Sequence, residues 1–409
     1  MKSPIGWIHT TFDKHVDCLT GFAFKSSEYS NDDKDLRLLR GDNIEPGNLR
    51  WRDAKYWRDN AVENLEKYRL NEGDFVIALD RTWISSGLKV AEVTKADLPC
   101  ILVQRVARVR AKPTLEQSLL RQYFSGHRFE QYVKSVQTAT AVPHISPNDI
   151  KEFPVSLPPL PEQKKIAQIL STWDKAITTT EQLLDNSQKQ KKALMQQLLT
   201  GKKRLLDNNG VRFSGEWKLL KASELFKTIS RKNNSETEEL LAVTQDQGVL
   251  PRSMLERRVV MPDGSTQSYK LVVPGNFIIS LRSFQGGLEY SNYRGLVSPA
   301  YTVLEPIRTI NDEFYKQYYK SYDFIGHLAV AVIGIRDGKQ ISYSDFSFLK
   351  LPYPGLEEQQ KIAAVLSGAD QEISALQQKL DTLKQEKKAL MQQLLTGKRR
   401  VKIDHKEVA

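Results

Sequence analysis

Two stretches of this chain carry apolar residues at helical spacing for about five heptads each. From Ile166, alternating steps of four and three fall on Leu170, Trp173, Ile177, Thr180, Leu184, Ser187, Lys191, Leu194 and Leu198. From Ile362 the same steps fall on Leu366, Ala369, Ile373, Leu376, Leu380, Leu383, Lys387, Leu390 and Leu394. Seven of these ten positions are apolar in the first stretch and nine in the second. That is a heptad-like seam, and it predicts two long helices packed on one another. Pro161 suits the first turn of a helix, where its missing N–H is not needed. Gly201 and Gly397, each followed by Lys and Arg, are the expected stops.

The two stretches are copies of each other. At an offset of 196 residues, positions 162–204 align without a gap on 358–400, and 25 of the 43 pairs are identical. Residues 191–202, KKALMQQLLTGK, recur unchanged as 387–398. Each copy follows roughly 150 residues that alternate short β-rich runs with turn signals. In the first half the run beginning at Phe75 follows Gly73-Asp74, residues 103–112 read as an amphipathic strand, and residues 115–124 and 128–136 read as helices. The second half repeats the plan weakly but in order. Glu216-Trp217 answers Gly6-Trp7, Gly275-Asn276 before Phe277 answers Gly73-Asp74 before Phe75, and the run from Ile341 answers that from Ile145. The expected fold class is α+β, with two similar mixed α/β domains (1–156 and 206–350). Two long antiparallel helices (157–205, and 351–409 with its tail) form a coiled-coil spacer between them.

The connector sets the expected direction. About 16 residues separate Thr200 from Trp217, so the second domain starts where the first helix ends. A helix from Pro161 to Thr200 is about 60 Å long at 1.5 Å per residue. For the seams to meet, the second helix must run back along the first, relating the two domains by a pseudo-two-fold axis. About 60 Å is one and a half to two turns of DNA at ~34–36 Å per turn.

Composition narrows the class. Forty per cent hydrophobic and 27% charged residues in 409 are ordinary for a globular chain. The absence of a long apolar run argues against a membrane span, and the N-terminal residues lack the apolar core of a signal peptide. With only Cys18 and Cys100, the expectation is a reducing, cytoplasmic setting. The net charge of +11 permits a polyanionic partner, and residues 157–205 hold the largest share of the excess. No phosphate-binding GxxxxGK[ST] and no GxGxxG loop is present, so catalytic, cofactor-binding and metal residues are expected to be none. His9, His15 and Cys18 are close in sequence but lack a fourth ligand.

Candidate contacts to DNA fall in several groups. Arg50, Arg52, Lys55 and Arg58 alternate with Trp51, Tyr56 and Trp57. This pattern fits either a loop touching phosphates and bases, or a surface segment whose aromatics pack inward while its cations stay wet. Arg108, Arg110 and Lys112 would line one face of a strand, as a DNA contact or as a solvated sheet face. In the second half Arg252, Arg257, Arg258, Arg282, Arg294, Arg336, Lys339 and Gln340 lie in turns and Gly-rich loops, where Arg and Gln can reach base edges. Lys191 and Lys387 interrupt the seam, either to set register or to face solvent.

The pair of unlike halves, the lead-in LPPLPEQKKIAQIL and the duplicated LMQQLLTGK together resemble the specificity subunit of type I restriction-modification enzymes. The resemblance covers essentially the whole chain. It implies two target recognition domains, each reading one half of a bipartite asymmetric double-stranded DNA sequence, with the helices setting the unread gap. It also implies a non-catalytic subunit that docks two modification subunits, which carry S-adenosylmethionine and methylate adenine, and restriction subunits that use ATP and Mg. One departure is the second lead-in, LPYPGLEEQQ, which is two residues longer and has no proline matching Pro161. A stand-alone duplicated DNA-binding regulator and a coiled-coil scaffold without DNA are the rival readings.

Overall fold

A computed structural model describes residues 4–58, 65–232, 238–245, 247–255, 266–331 and 341–403. The chain divides into two compact units, Met1–Thr180 with Lys379–Ala409, and Glu181–Gln378. Each long helix, Leu160–Leu198 and Leu356–Leu394, gives one half to each unit. No helix among the described residues is long and apolar enough to cross a membrane.

The centre of the first unit is a four-stranded antiparallel sheet in the order Val90–Glu92, Phe75–Ala78, Val106–Ala111, Val16–Thr20. The second unit has the same order in Glu289–Tyr290, Phe277–Ile279, Thr302–Pro306, Phe226–Ile229. The registers correspond too: Phe75 lies opposite Val109, and Phe277 opposite Leu304. Helices follow in matching succession, Gln117–Phe124, His127–Val136 and Pro147–Lys151 in one unit, Asp312–Tyr318, Tyr322–Ala331 and Tyr343–Ser347 in the other.

The weak sequence matches turn out to be matched local chemistry. Asp74 accepts the Asn71 N–H at 2.7 Å, and Asn276 accepts the Val273 N–H at 3.0 Å, so both middle strands open from the same side-chain-capped turn. Ser146 with Asp149 and Ser342 with Asp345 form reciprocal capping boxes, satisfying N–H groups that a helix start leaves orphaned.

One face of the first sheet, through Phe75, Ile77, Ala107 and Val109, meets Phe12, Phe124 and Phe129. The other, through Val76, Ala78 and Val106, lies under Leu39, Cys100 and Leu102. A sheet covered on both faces explains why Phe75–Ala78 is buried throughout. The second core is built on Phe226, Phe277, Tyr315 and Tyr319, with rings 5.2–5.8 Å apart.

The long helices start and stop at positions 196 residues apart. The missing proline in the second lead-in therefore costs nothing in helix position. Every predicted seam position is buried or half-buried. Ile166, Leu170 and Leu394 join the first core with Leu390 beside them, while Leu198, Ile362 and Leu366 join the second with Leu194 beside them. Along the two helices Leu184 and Leu380 are buried, and Trp173, Ile177, Ile373, Leu376 and Leu383 half-buried. Both helices end alike: Gly201 and Gly397 take φ +70°, and Lys203 and Arg399 donate backbone N–H bonds of 3.0 and 3.1 Å to Gln197 and Gln393. This closure, one residue wider than a six-to-one bond, passes through a left-handed residue, which glycine adopts without strain.

Candidate nucleic-acid interface

Within each unit the helix halves run antiparallel and are fixed by the same polar contacts, with the roles of the two repeat copies exchanged. Glu162, fully buried, accepts Arg400 Nε at 2.6 Å, Arg400 Nη2 at 2.8 Å and Trp7 Nε1 at 3.1 Å. In the second unit Glu358 accepts Arg204 Nε at 2.5 Å, Arg204 Nη2 at 2.7 Å and Trp217 Nε1 at 3.0 Å. The first residue of each repeat copy thus holds the last residue of the other. Planar bidentate pairing of this kind suits arginine and fixes direction as well as distance. The Arg400 pKa is raised, chiefly by its hydrogen bond to Glu162.

Midway along, Asp174 accepts Lys387 Nζ at 2.5 Å and Gln122 Nε2 at 2.8 Å. Asp370 accepts Lys191 Nζ at 2.5 Å and Gln317 Nε2 at 2.8 Å. The lysines that interrupt the seam therefore set its register, and the glutamines tie a helix of the mixed domain to it. Gln163 and Gln359 complete the frame by accepting the N–H of Glu116 and of Asn311, each at 2.8 Å. Identity at Glu162, Asp174, Lys191 and Arg204 across the repeat was the sequence signal for these residues; their crosswise pairing was not readable from it.

The candidate contact residues are distributed unevenly. Arg50, Arg52, Lys55 and Arg58 are exposed, and Arg52, Lys55 and Arg58 have no ion-pair partner among the described residues. The aromatics between them turn inward. Trp51 donates Nε1 to Asp97 at 2.8 Å beneath the Arg37 guanidinium, and Trp57 packs 4.8 Å from Phe24. The rings are packed inward, Trp57 among Phe24, Leu36 and Leu38, while the cations stay exposed, Arg50 with Glu45 at 3.4 Å.

The strand expectation needs correction. Arg108 and Arg110 do not form an open cationic face, because the second face of the sheet is covered. Arg108, 5% exposed, bonds to Asp17 and donates to the Lys67 carbonyl at 3.0 Å. Arg110 forks onto Asp74, which raises its pKa. Lys112 is exposed and donates to the Asp13 carbonyl at 3.2 Å. In the second unit Arg252 is half-buried, Arg282 is exposed, and Arg294 is held by Glu238 at 2.8 Å. Arg257, Arg258, Arg336, Lys339 and Gln340 lie outside the described residues.

Two frames of one design carrying unlike surfaces is the pattern that the comparison with known proteins explains. The family described as the type I restriction modification DNA specificity domain matches twice, over residues 24–186 and 215–385. The chain belongs to this family. Among its relatives, the specificity subunit of the type I restriction enzyme EcoAI from Escherichia coli is 35% identical over 181 residues, covering 44% of this chain and 30% of that protein. The putative MjaX specificity subunit of Methanocaldococcus jannaschii is 27% identical over 367 residues, 85% of this chain and 83% of that one. In fold, the S subunit of a type I system from M. genitalium superposes with a TM-score of 0.58 at 13% identity over 97% of both chains. A chain from a second type I system gives 0.55 at 18% identity, covering 98% of this chain and all of that one.

Proposed function

We propose that this chain is the DNA-reading, non-catalytic subunit of a type I restriction-modification complex. Residues 1–156 and 206–350 read the two halves of a split, asymmetric target, while 157–205 and 351–409 space them. The observation that carries this reading is the exchanged pairing of Glu162 with Arg400 and Glu358 with Arg204: one frame written twice, holding two unlike sets of loops. Each 39-residue helix is about 58 Å long at 1.5 Å per residue, or roughly one and a half turns of DNA. Two readers fixed to such helices contact two half-sites and leave the bases between them unread.

The duplicated helix surfaces give one chain two like docking faces, suited to two copies of a modification subunit. Those subunits supply S-adenosylmethionine and the adenine chemistry, and restriction subunits supply ATP-driven steps. This chain's part is selection. Exposed Arg50, Arg52, Lys55 and Arg58 are suited to phosphates, which position a protein on the duplex. Exposed Arg282 in the second unit is placed on a loop, where it can reach base edges.

The test is a domain exchange in the assembled complex. Replacing residues 1–156 by the corresponding segment of a relative should change one half-site and leave the other half-site and the gap as they were. Change in both half-sites would contradict independent readers.

A further inference from the structure

Among the described residues, just two other than glycine adopt a left-handed backbone, and both are arginines at the same end of the first unit's central sheet. Arg81 (φ 47°) lies in the loop leaving Phe75–Ala78, and Arg105 (φ 67°) in the turn entering Val106–Ala111. Those strands are antiparallel neighbours, so the two loops meet; the Leu79 N–H donates to the Arg105 carbonyl at 2.9 Å. Glycine or asparagine would hold such a conformation at lower cost to folding. Keeping arginine at both places points to a use for the side chains, since strained residues gather where function needs them.

The side chains are placed for use. Arg105 donates through Nη1 to both oxygens of Asp80, at 3.1 and 3.3 Å, which orients a guanidinium on a side chain that is 69% exposed. Gln104 is exposed beside it, with its N–H donating to the Phe22 carbonyl at 2.8 Å. Phe22 itself stays 38% exposed against Phe24 and Tyr68. Lys89, whose pKa is lowered by burial first, lies within electrostatic reach of Asp42, Arg81, Asp80 and Arg50. The end in question is opposite the one from which the chain leaves for helix Gln117–Phe124. In the second unit the corresponding loop, after Phe277–Ile279, presents exposed Arg282, whose carbonyl accepts Gln245 Nε2 at 3.0 Å. Ser280, Leu281, Arg282, Gln245 and Tyr301 line a cleft of about 540 Å³ there.

We propose that Arg105, flanked by Gln104 and Arg81, reads purine edges in the DNA half-site bound by the first unit, with Asp80 as the positioning residue for the Arg105 fork. This rests on the DNA-reading function proposed above. Arginine matches guanine O6 and N7 bidentately, and glutamine matches adenine N6 and N7.

Glycine is the informative substitution, because it relaxes the backbone while removing the reader. Complexes assembled with wild-type chain, R105G, R81G or Q104A would be compared by mapping modified adenines, by binding to half-site variants across a salt series, and by melting temperature. For R105G the expected result is a melting temperature at or above wild type, and discrimination at one base pair of one half-site reduced roughly 10- to 100-fold. The other half-site and the salt slope should not change. Full discrimination in R105G would overturn the proposal, as would uniform weakening on all sequences with the salt slope reduced by about one, the mark of a phosphate contact. If the wild-type complex showed no split target, the DNA-reading function would fall and this inference with it. A split target with an unaltered R105G profile would sink the inference alone.

Discussion

Arg400→Ala and Arg204→Ala make a matched pair of perturbations on one contact in two settings. Each removes two charge-assisted donors from a buried carboxylate and leaves a single tryptophan N–H. Stranding a fully buried charge costs about 3–5 kcal/mol. Arg400 is 43% exposed, so water can enter the vacated place and about 2 kcal/mol is expected. Arg204 is only 19% exposed over a Glu358 that is 3% exposed, and its loss should cost nearer 3 kcal/mol. Local hydrogen exchange along the two long helices reads each unit by itself and is the measure. Since about 1.4 kcal/mol is a factor of ten, R400A should speed exchange near Leu160 roughly 30-fold and R204A near Leu356 roughly 150-fold. Each effect should stay in its own unit. Exchange within threefold of wild type in both variants, or acceleration in the wrong unit, would refute the exchanged-pair frame.

Other consequences follow from the same contacts. R52A and R58A, cations without ion-pair partners among the described residues, should each lower the salt slope of DNA binding by about one, whereas R108A should leave the slope alone and reduce stability by about 2 kcal/mol, because it removes a buried side chain and the donor to the Lys67 carbonyl, the 54% exposed Asp17 being solvated by water; a salt titration beside a urea melt separates the two. Gly397→Ala should destabilise by more than about 1 kcal/mol, since its Cβ would sit 2.3 Å from Pro4 Cγ at φ +70°; Gly201→Ala, meeting Trp217 at 3.4 Å, should cost less, as paired denaturation curves would show. His15 has its pKa pushed below the ordinary 6.5 by burial first, then by Lys112 and Lys14. The unfolded chain therefore takes up the proton first, so this stability is present above about pH 6.5 and lost as pH falls through the folded value; His15→Asn should flatten the dependence of stability on pH between 7 and 5.

Much of the fold was legible because its longest elements repeat. The seam from Ile166 and its copy from Ile362 fixed both helices, since heptad periodicity over about five heptads has no strand-like alternative. Gly201 and Gly397 marked their ends, because a left-handed closure needs glycine. The middle strands at Phe75 and Phe277 were legible from capped turns ahead of apolar runs. Legibility ended where distant segments meet. The alternation of Arg108 with Val109 reads as one wet face and one dry, and nothing local reports that Leu39, Cys100 and Leu102 cover the wet one. Duplication made Glu162 and Arg204 conspicuous without saying that each would find its partner in the other copy. Arg105 falls inside the stretch 103–112 that reads as a strand, whereas the strand begins at Val106, because backbone handedness at a non-glycine residue such as Arg81 or Arg105 leaves no mark in composition.

The central claim is that one duplicated frame holds two different readers. Mapping modified adenines in DNA exposed to the chain assembled with its modification subunits tests it most directly. The expected result is a single split motif whose two halves differ in sequence and are separated by a gap of fixed length. A contiguous motif, a perfect palindrome or a gap that varies from site to site would contradict it.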